Sequence, residues 1–224
     1  MIIFSPLLVM LFLIGIIGLS FFFIFPQIDI ELSSYFWMPG WYPKIGWPGL
    51  IYNAVNWLVP LILFVLLALW FYTVWSPKKT IKQVSVIFLL VCLIIGPGFF
   101  VNAVFKDHWG RPRPSEITHF QGNESFVLPF VISQGCQKNC SFVCGHASVG
   151  FVLLALAYVY PRRRYLIAIS SFSLGWMIGY VRMMQGGHFF SDVFFSWLVT
   201  WFVIHSIYLI FRRFGYDIEQ YQRS

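Results

Sequence analysis

The chain has 224 residues, 59% of them hydrophobic and only 10% charged, with a mean hydropathy of +0.76. Soluble domains carry about 25% charged residues, so the composition excludes an ordinary soluble protein and points to a single integral membrane domain over residues 1–224. The formal net charge is +7; its basic residues fall between hydrophobic segments, which fits topology and anionic lipid at a cytoplasmic face and not nucleic acid.

A membrane span needs about 20 apolar residues. Six segments qualify or nearly so, and an all-α fold of six transmembrane helices is expected. In chain order they are Ile2–Phe25, Tyr52–Trp75, Val84–Phe105, Gly145–Tyr160, Tyr165–Met184 and Phe189–Phe211. The first lacks a basic start and a small-residue cleavage pattern, so it is expected to remain as a helix and not to be a signal peptide. The third carries Pro97 between two glycines, an expected kink. The fourth is short.

Six spans put both termini on one side. That side holds nine Lys and Arg residues (Lys78, Lys79, Lys82, Arg162, Arg163, Arg164, Arg212, Arg213 and Arg223). The other holds six (Lys44, Lys106, Arg111, Arg113, Lys138 and Arg182). The excess puts both termini in the cytoplasm. Loops at about 26–50, 106–143 and 185–188 then face outward. The first, with Trp37, Trp41, Tyr42 and Trp47, reads as an interfacial anchor or as a wall for acyl chains. The second holds Cys136 and Cys140, which an oxidising compartment would permit to pair. Cys92 falls inside the third span as a small hydrophobe.

Three polar blocks interrupt the hydrophobic sequence: Lys106 to Pro114, Cys144-Gly145-His146, and Arg182 followed by His188 and Asp192. Charged groups at membrane depth are costly and mark functional sites. Together these residues could bind a phosphate, attack it and protonate its leaving group. Phosphoryl transfer needs cations around the equatorial oxygens, which Lys106, Arg113 and Arg182 would supply. Gly145 opens a helix whose N–H groups suit an anion, and His146 beside it could act as general acid. His188 and Asp192, four residues apart, share a helix face. A carboxylate on one imidazole nitrogen would fix the tautomer and free the other to attack, making His188 the candidate nucleophile. Ser148 could add a hydroxyl donor, and His108 and Arg111 are candidates for a supporting layer. Plainer roles exist: Lys106 and Arg113 as a basic helix end, His146 as a cap, Ser148 as a small packing residue, His108 and Arg111 as headgroup contacts.

The spacing Lys106-x6-Arg113-Pro114, the pair Gly145-His146 and Arg182-x5-His188-x3-Asp192 resemble the three signature motifs of the type-2 phosphatidic acid phosphatase superfamily. The resemblance implies a membrane phosphatase without metal or cofactor. His188 would be the nucleophile, Asp192 its partner and His146 the general acid, with Lys106, Arg113 and Arg182 as phosphate ligands. The chain departs from the family at Val143-Cys144, where Pro-Ser is usual, and at Val181, where Ser usually precedes the arginine. A thiol is a weak donor, so phosphate contact at Cys144 would rest on its backbone N–H. Two other readings of the cysteines remain open. Cys144 as nucleophile would want an arginine at position 150, where Gly150 stands. Cys136, Cys140, Cys144 and His146 have zinc-ligand chemistry but an uncommon spacing.

The stretches Phe105 to Pro114, Asn139 to Gly145 and Gln185 to Phe189 are similar to the bacterial lipid A 4′-phosphatase branch. That implies removal of the 4′-phosphate of lipid A from a bacterial inner membrane, with the site facing the periplasm. A less negative surface would bind cationic antimicrobial peptides more weakly. Undecaprenyl pyrophosphate and phosphatidylglycerol phosphate suit the same phosphate site. A lipid phosphotransferase and a transporter without chemistry are the other readings.

Overall fold

The computed structural model describes residues 6–38, 41, 45–75, 83–216 and 218. Tyr42, Lys44, Lys78, Lys79, Lys82 and Arg223, which enter the loop and charge-bias arguments, lie outside the described residues, as do residues 1–5 of the first span.

The regular structure of the described residues is helical, with no strand beyond one isolated bridge between Ile117 and Glu124. Helix α1 is Pro6–Ile24, α2 Gln27–Ser34 and α3 Gly46–Trp75. Helix α4 runs from Gln83 to Lys106, as an α-helix over Gln83–Leu93 and a π-helix over Ile94–Lys106. Helix α5, Gly145–Val159, is broken by a 3₁₀ turn at Val152–Leu154. Helix α6, Pro161–Met184, opens with a 3₁₀ turn, and α7 is Phe190–Arg213. Five of these, α1, α3, α4, α6 and α7, are long and apolar enough to cross a membrane.

The fourth expected span is the exception. At 1.5 Å per residue α5 reaches only about 22 Å, short of the ~30 Å hydrocarbon core. It is also the most enclosed helix, walled by α3, α4, α6 and α7. The expected kink at Pro97 is a whole π-helical stretch, because a proline without an N–H breaks the regular ladder. The expected loop after α1 contains a helix: α2 carries the buried Asp29 and Ser33.

Small residues let the inner helices close up, as in membrane bundles generally. A Cβ on Gly150 of α5 would stand 2.6 Å from the backbone of Gly175 on α6, and one on Gly179 would meet Val193 of α7 at 2.4 Å. Phe88, Cys92, Val152, Val159, Ile204 and Ile207 fill the space between α4, α5 and α7. Outward, α1 and α3 expose Phe12, Ile17, Phe23, Trp57 and Phe64, the surface that lipid would cover. Toward one end, Phe105, Trp109, Phe130, Phe142 and Phe195 interlock with ring centroids 4.6–5.9 Å apart. This aromatic layer positions the loop between α4 and α5, which carries the first two polar blocks.

Candidate active site

The residues after α4 and those before α5 lie along each other. Cys140 N–H donates to Lys106 O at 3.0 Å, and Ser141 N–H donates to Arg111 O at 2.9 Å. Main-chain bonds therefore join the first polar block to the segment that leads into the second. The second is tied to the third in the same way, since Cys144 N–H donates to Asp192 O at 3.1 Å. That bond corrects one expectation: the Cys144 amide is committed to α7 and is not open to a phosphate.

His188 is buried in the turn between α6 and α7. Its Nδ1 lies 2.7 Å from the carbonyl oxygen of Ser141. A carbonyl only accepts, so Nδ1 carries the proton and the neutral ring keeps its lone pair on Nε2. The i, i+4 spacing predicts that Asp192 holds this nitrogen, but its Oδ2 stands 3.7 Å away. That oxygen accepts instead from the Ser141 hydroxyl at 2.5 Å and the Phe189 N–H at 2.7 Å. Asp192 thus grips Ser141 by its hydroxyl while the Ser141 carbonyl grips the imidazole. Burial is the largest influence on His188 and holds its pKa at about 3, with Asp192 drawing it up and Lys106 and Arg182 pushing it down.

Behind Asp192 lies Arg111, fully buried. It donates to Asp192 Oδ1 at 2.5 Å, Ser191 Oγ at 2.8 Å, Asp29 Oδ2 at 2.9 Å and Val127 O at 2.8 Å. Its guanidinium carbon sits 4.4 Å from the centre of the Phe189 ring. These partners occupy four of its five N–H donors, so Arg111 is a structural clasp between α2 and α7. Asp29 completes the clasp, accepting from Ser191 N–H at 2.9 Å and Ser191 Oγ at 2.5 Å.

The cations expected to hold phosphate are organised separately. Lys106 Nζ donates to Asn139 Oδ1 at 2.8 Å and Arg113 donates to Asn139 O at 2.6 Å, so one residue gathers both. Asn139 has a φ of +53°, a left-handed conformation that asparagine tolerates better than most, and it lies inside the Cys136–Cys140 disulfide loop. The pairing of these cysteines removes both from any zinc site. Lys106 passes close beside Gly145, where a Cβ would come within 3.1 Å of its Cε.

Arg182 bonds the side chain of Gln185, whose amide donates to Pro48 O at 3.2 Å. Its guanidinium carbon lies 4.8 Å from the centre of the Tyr52 ring, a cation–π distance. A Cβ at Gly187 would strike that guanidinium at 2.3 Å, so glycine lets Arg182 lie against the backbone beside His188. The same Tyr52 ring stacks on His146, with centroids 4.6 Å apart and planes 20° from parallel. Tyr52 thereby links the candidate acid to a candidate phosphate ligand.

Three candidates stand elsewhere. Ser148 Oγ donates to Gly145 O at 2.7 Å within its own helix, the packing role. His108 is exposed, with Nδ1 2.9 Å from Ala103 O. The Cys144 side chain is buried, and burial pushes the thiol up to about 11; a neutral thiol is a poor nucleophile.

Sequence reasoning missed Asp29, Tyr52, Asn139, Ser141 and Gln185. An aspartate three residues past Pro26 was the one visible signal for the first. The other four act through a backbone carbonyl, a ring face or an amide, which carry no spacing signature.

A match to the PAP2 superfamily covers residues 85–216, which include all three polar blocks. The chain is 41% identical over 199 residues to the lipid A 4′-phosphatase of Francisella tularensis subsp. novicida (strain U112), covering 84% of this chain and 90% of that protein. It is 36% identical over 116 residues to the lipid A 4′-phosphatase of Rhizobium leguminosarum, covering 51% of this chain and 50% of that protein. Phosphatidylglycerophosphatase B of Escherichia coli (strain K12) is 27% identical over 206 residues, covering 75% and 79%. No solved structure gives a significant match.

Proposed function

The chain belongs to the PAP2 superfamily and is a membrane lipid phosphatase, a phosphoric monoester hydrolase, and we propose that it removes the 4′-phosphate of lipid A through a phosphohistidine on His188. The observation that carries the mechanism is the 2.7 Å contact from His188 Nδ1 to the Ser141 carbonyl. It leaves the Nε2 lone pair for in-line attack on phosphorus. The P–N bond forms as the ester P–O bond breaks, and His146 gives its proton to the leaving sugar oxygen. His146, now neutral, takes a proton from water; the resulting hydroxide attacks phosphorus and the P–N bond breaks, releasing inorganic phosphate. Lys106, Arg113 and Arg182 bind the non-bridging oxygens throughout. Phosphorylation makes the His188 ring cationic, and the Asp192 carboxylate 3.7 Å away stabilises that charge.

The substrate assignment is supported by the 41% identity along nearly the whole length of a lipid A 4′-phosphatase. We read residues 1–224 as one domain of six spans, α5 being the short fourth, in a bacterial inner membrane. Both termini then lie in the cytoplasm and the three polar blocks face the periplasm. Both expectations rest on the Lys and Arg bias.

Inorganic phosphate release by detergent-purified protein, wild type beside His188→Ala and with chelator present, tests this reading. Lipid A, undecaprenyl pyrophosphate and phosphatidylglycerol phosphate form the panel, with mass spectrometry of the lipid product. Release from lipid A alone, lost in the variant, is expected. Release by His188→Ala would sink the phosphohistidine, and release only from another lipid would overturn the substrate.

A further inference from the structure

Helix α4 carries a single amide in a long apolar run. Between Ser85 and Lys106 every residue other than Asn102 is hydrophobic, glycine or proline. Asn102 is exposed, one turn before Lys106 in the π-helical stretch. A polar side chain at membrane depth is costly and marks a functional position. Its Nδ2 donates to Pro97 O at 2.7 Å. A carbonyl only accepts, so this bond fixes which way the amide faces. The other end, Oδ1, stands 3.0 Å from the point where a Cβ on Gly145 would lie, and Lys106 Cε and Nζ stand 3.1 and 3.4 Å from the same point. Oδ1 therefore borders the space beside Gly145 that Lys106 also lines, at the start of α5 where His146 follows. The bond to Pro97 gives the amide nitrogen a structural task, tying down a carbonyl near a helix break. It gives the oxygen none, and among the described residues no hydrogen-bond donor reaches it.

We infer that Asn102 selects the leaving group: its Oδ1 accepts a hydrogen bond from a hydroxyl or amide N–H that the lipid carries close to the scissile oxygen. This rests on the lipid phosphatase reading and adds a specificity residue to it. A lipid whose phosphate sits on Lys106 sends its chains along the bundle toward the hydrocarbon, and Asn102 is the first polar side chain of α4 on that path. What it offers there is an acceptor. An acceptor covered by lipid and left without a donor costs free energy. A leaving group with only ester carbonyls near the phosphate, such as diacylglycerol, is therefore disfavoured, and one that can donate is preferred. Lipid A has both kinds of donor near its phosphorylated sugar, an amide N–H where a chain joins through nitrogen and a hydroxyl on the chain.

Phosphate release by the full-length protein in detergent, wild type beside Asn102→Leu, tests the assignment. Leucine keeps the size and removes the polar atoms. On lipid A the variant should lose about tenfold in kcat/KM, the worth of one neutral hydrogen bond; an unchanged value would overturn the assignment. Orthovanadate, which fills the phosphate site and brings no leaving group, should inhibit both proteins with the same constant. A parallel rise in that constant would make Asn102 a support for Lys106 and overturn the assignment too. Two lipid A analogues distinguish the donors on wild-type protein, and decide the matter if the variant does not fold: one with the chain hydroxyl replaced by hydrogen, one with the amide replaced by an ester. One of them should lose the same tenfold, with no further loss in Asn102→Leu. Full activity on both would refute the hydrogen bond. A wild type that acts only on undecaprenyl pyrophosphate, whose leaving group has no donor, would overturn both this assignment and the lipid A reading. One that acts on phosphatidylglycerol phosphate and not on lipid A would overturn the lipid A reading alone, and the Asn102→Leu and vanadate comparison then decides on that lipid's glycerol hydroxyl.

Discussion

Oδ2 of Asp192 stands 3.7 Å from Nδ1 of His188, outside hydrogen-bond reach, and the two are connected through Ser141. The tautomer of the imidazole is therefore held by a backbone carbonyl, which no side-chain substitution removes. Asp192→Asn should still lower phosphate release by roughly 10²–10³-fold, because it deletes the counter-charge for the phosphohistidine and turns an amide toward Arg111 or Ser141. Its residual rate should nonetheless exceed that of His188→Ala. Equal rates for the two variants in a single-turnover assay would return Asp192 to direct tautomer control.

Arg111 should matter for folding more than for chemistry. Removing one partner of a buried ion pair costs about 3–5 kcal/mol, and Arg111→Ala strands both Asp29 and Asp192. A large fall in melting temperature in detergent is expected, against a smaller one for Asp29→Asn, which leaves Arg111 its bond to Asp192. A wild-type melt for Arg111→Ala would show that the clasp contributes nothing.

Acid should destabilise the protein through His188. Its pKa is about 3 when folded and 6.5 is its ordinary value. Between these the unfolded chain binds more protons than the folded one, so stability rises with pH across that window and falls on acidification. Melting temperatures from pH 7 to pH 4 should drop less steeply for His188→Ala than for wild type. Parallel slopes would remove His188 as the cause.

Cys144→Ser should change turnover by less than about tenfold, since a buried thiol with a pKa near 11 is neutral and is not the attacking group. Loss of all activity in that variant, with the protein folded, would give the thiol a chemical part.

Opening the Cys136–Cys140 bridge should loosen Asn139 and with it both Lys106 and Arg113. Cys136→Ser is expected to raise KM more than it lowers kcat, because in the proposed mechanism the two cations hold the phosphate in ground and transition state alike. An unchanged KM would mean that Asn139 is held without the bridge.

The helices and the three blocks were legible because hydropathy and i, i+4 spacing are written along the chain. Segments Val84–Phe105, Tyr165–Met184 and Phe189–Phe211 fall within a few residues of α4, α6 and α7. The π-helical half of α4 was not legible, since Pro97 marks a break without saying how the ladder re-forms. Nor was α2, an eight-residue helix whose buried Asp29 answers to Arg111, 82 positions away. At the site, the candidate nucleophile, acid and cations stand out by residue type. What orients them does not: the Ser141 carbonyl is a property every residue has, and the Tyr52 face looks in sequence like one more aromatic at a membrane edge.

The Arg111 clasp has an electrostatic consequence for substrate capture. Lys106, Arg111, Arg113, Arg182 and a His146 protonated to act as general acid carry five positive charges, and Asp29 and Asp192 answer with two negative ones. Arg111 is spent on the carboxylates, so the surplus of three falls to the remaining cations and His146. A phosphate monoester brings about −1.5 to −2 at neutral pH and cancels half or more of it. Docking is then a neutralisation, favoured before any bond is made. The same balance holds for the inorganic phosphate left at the end. Orthophosphate should compete with substrate for the same cations.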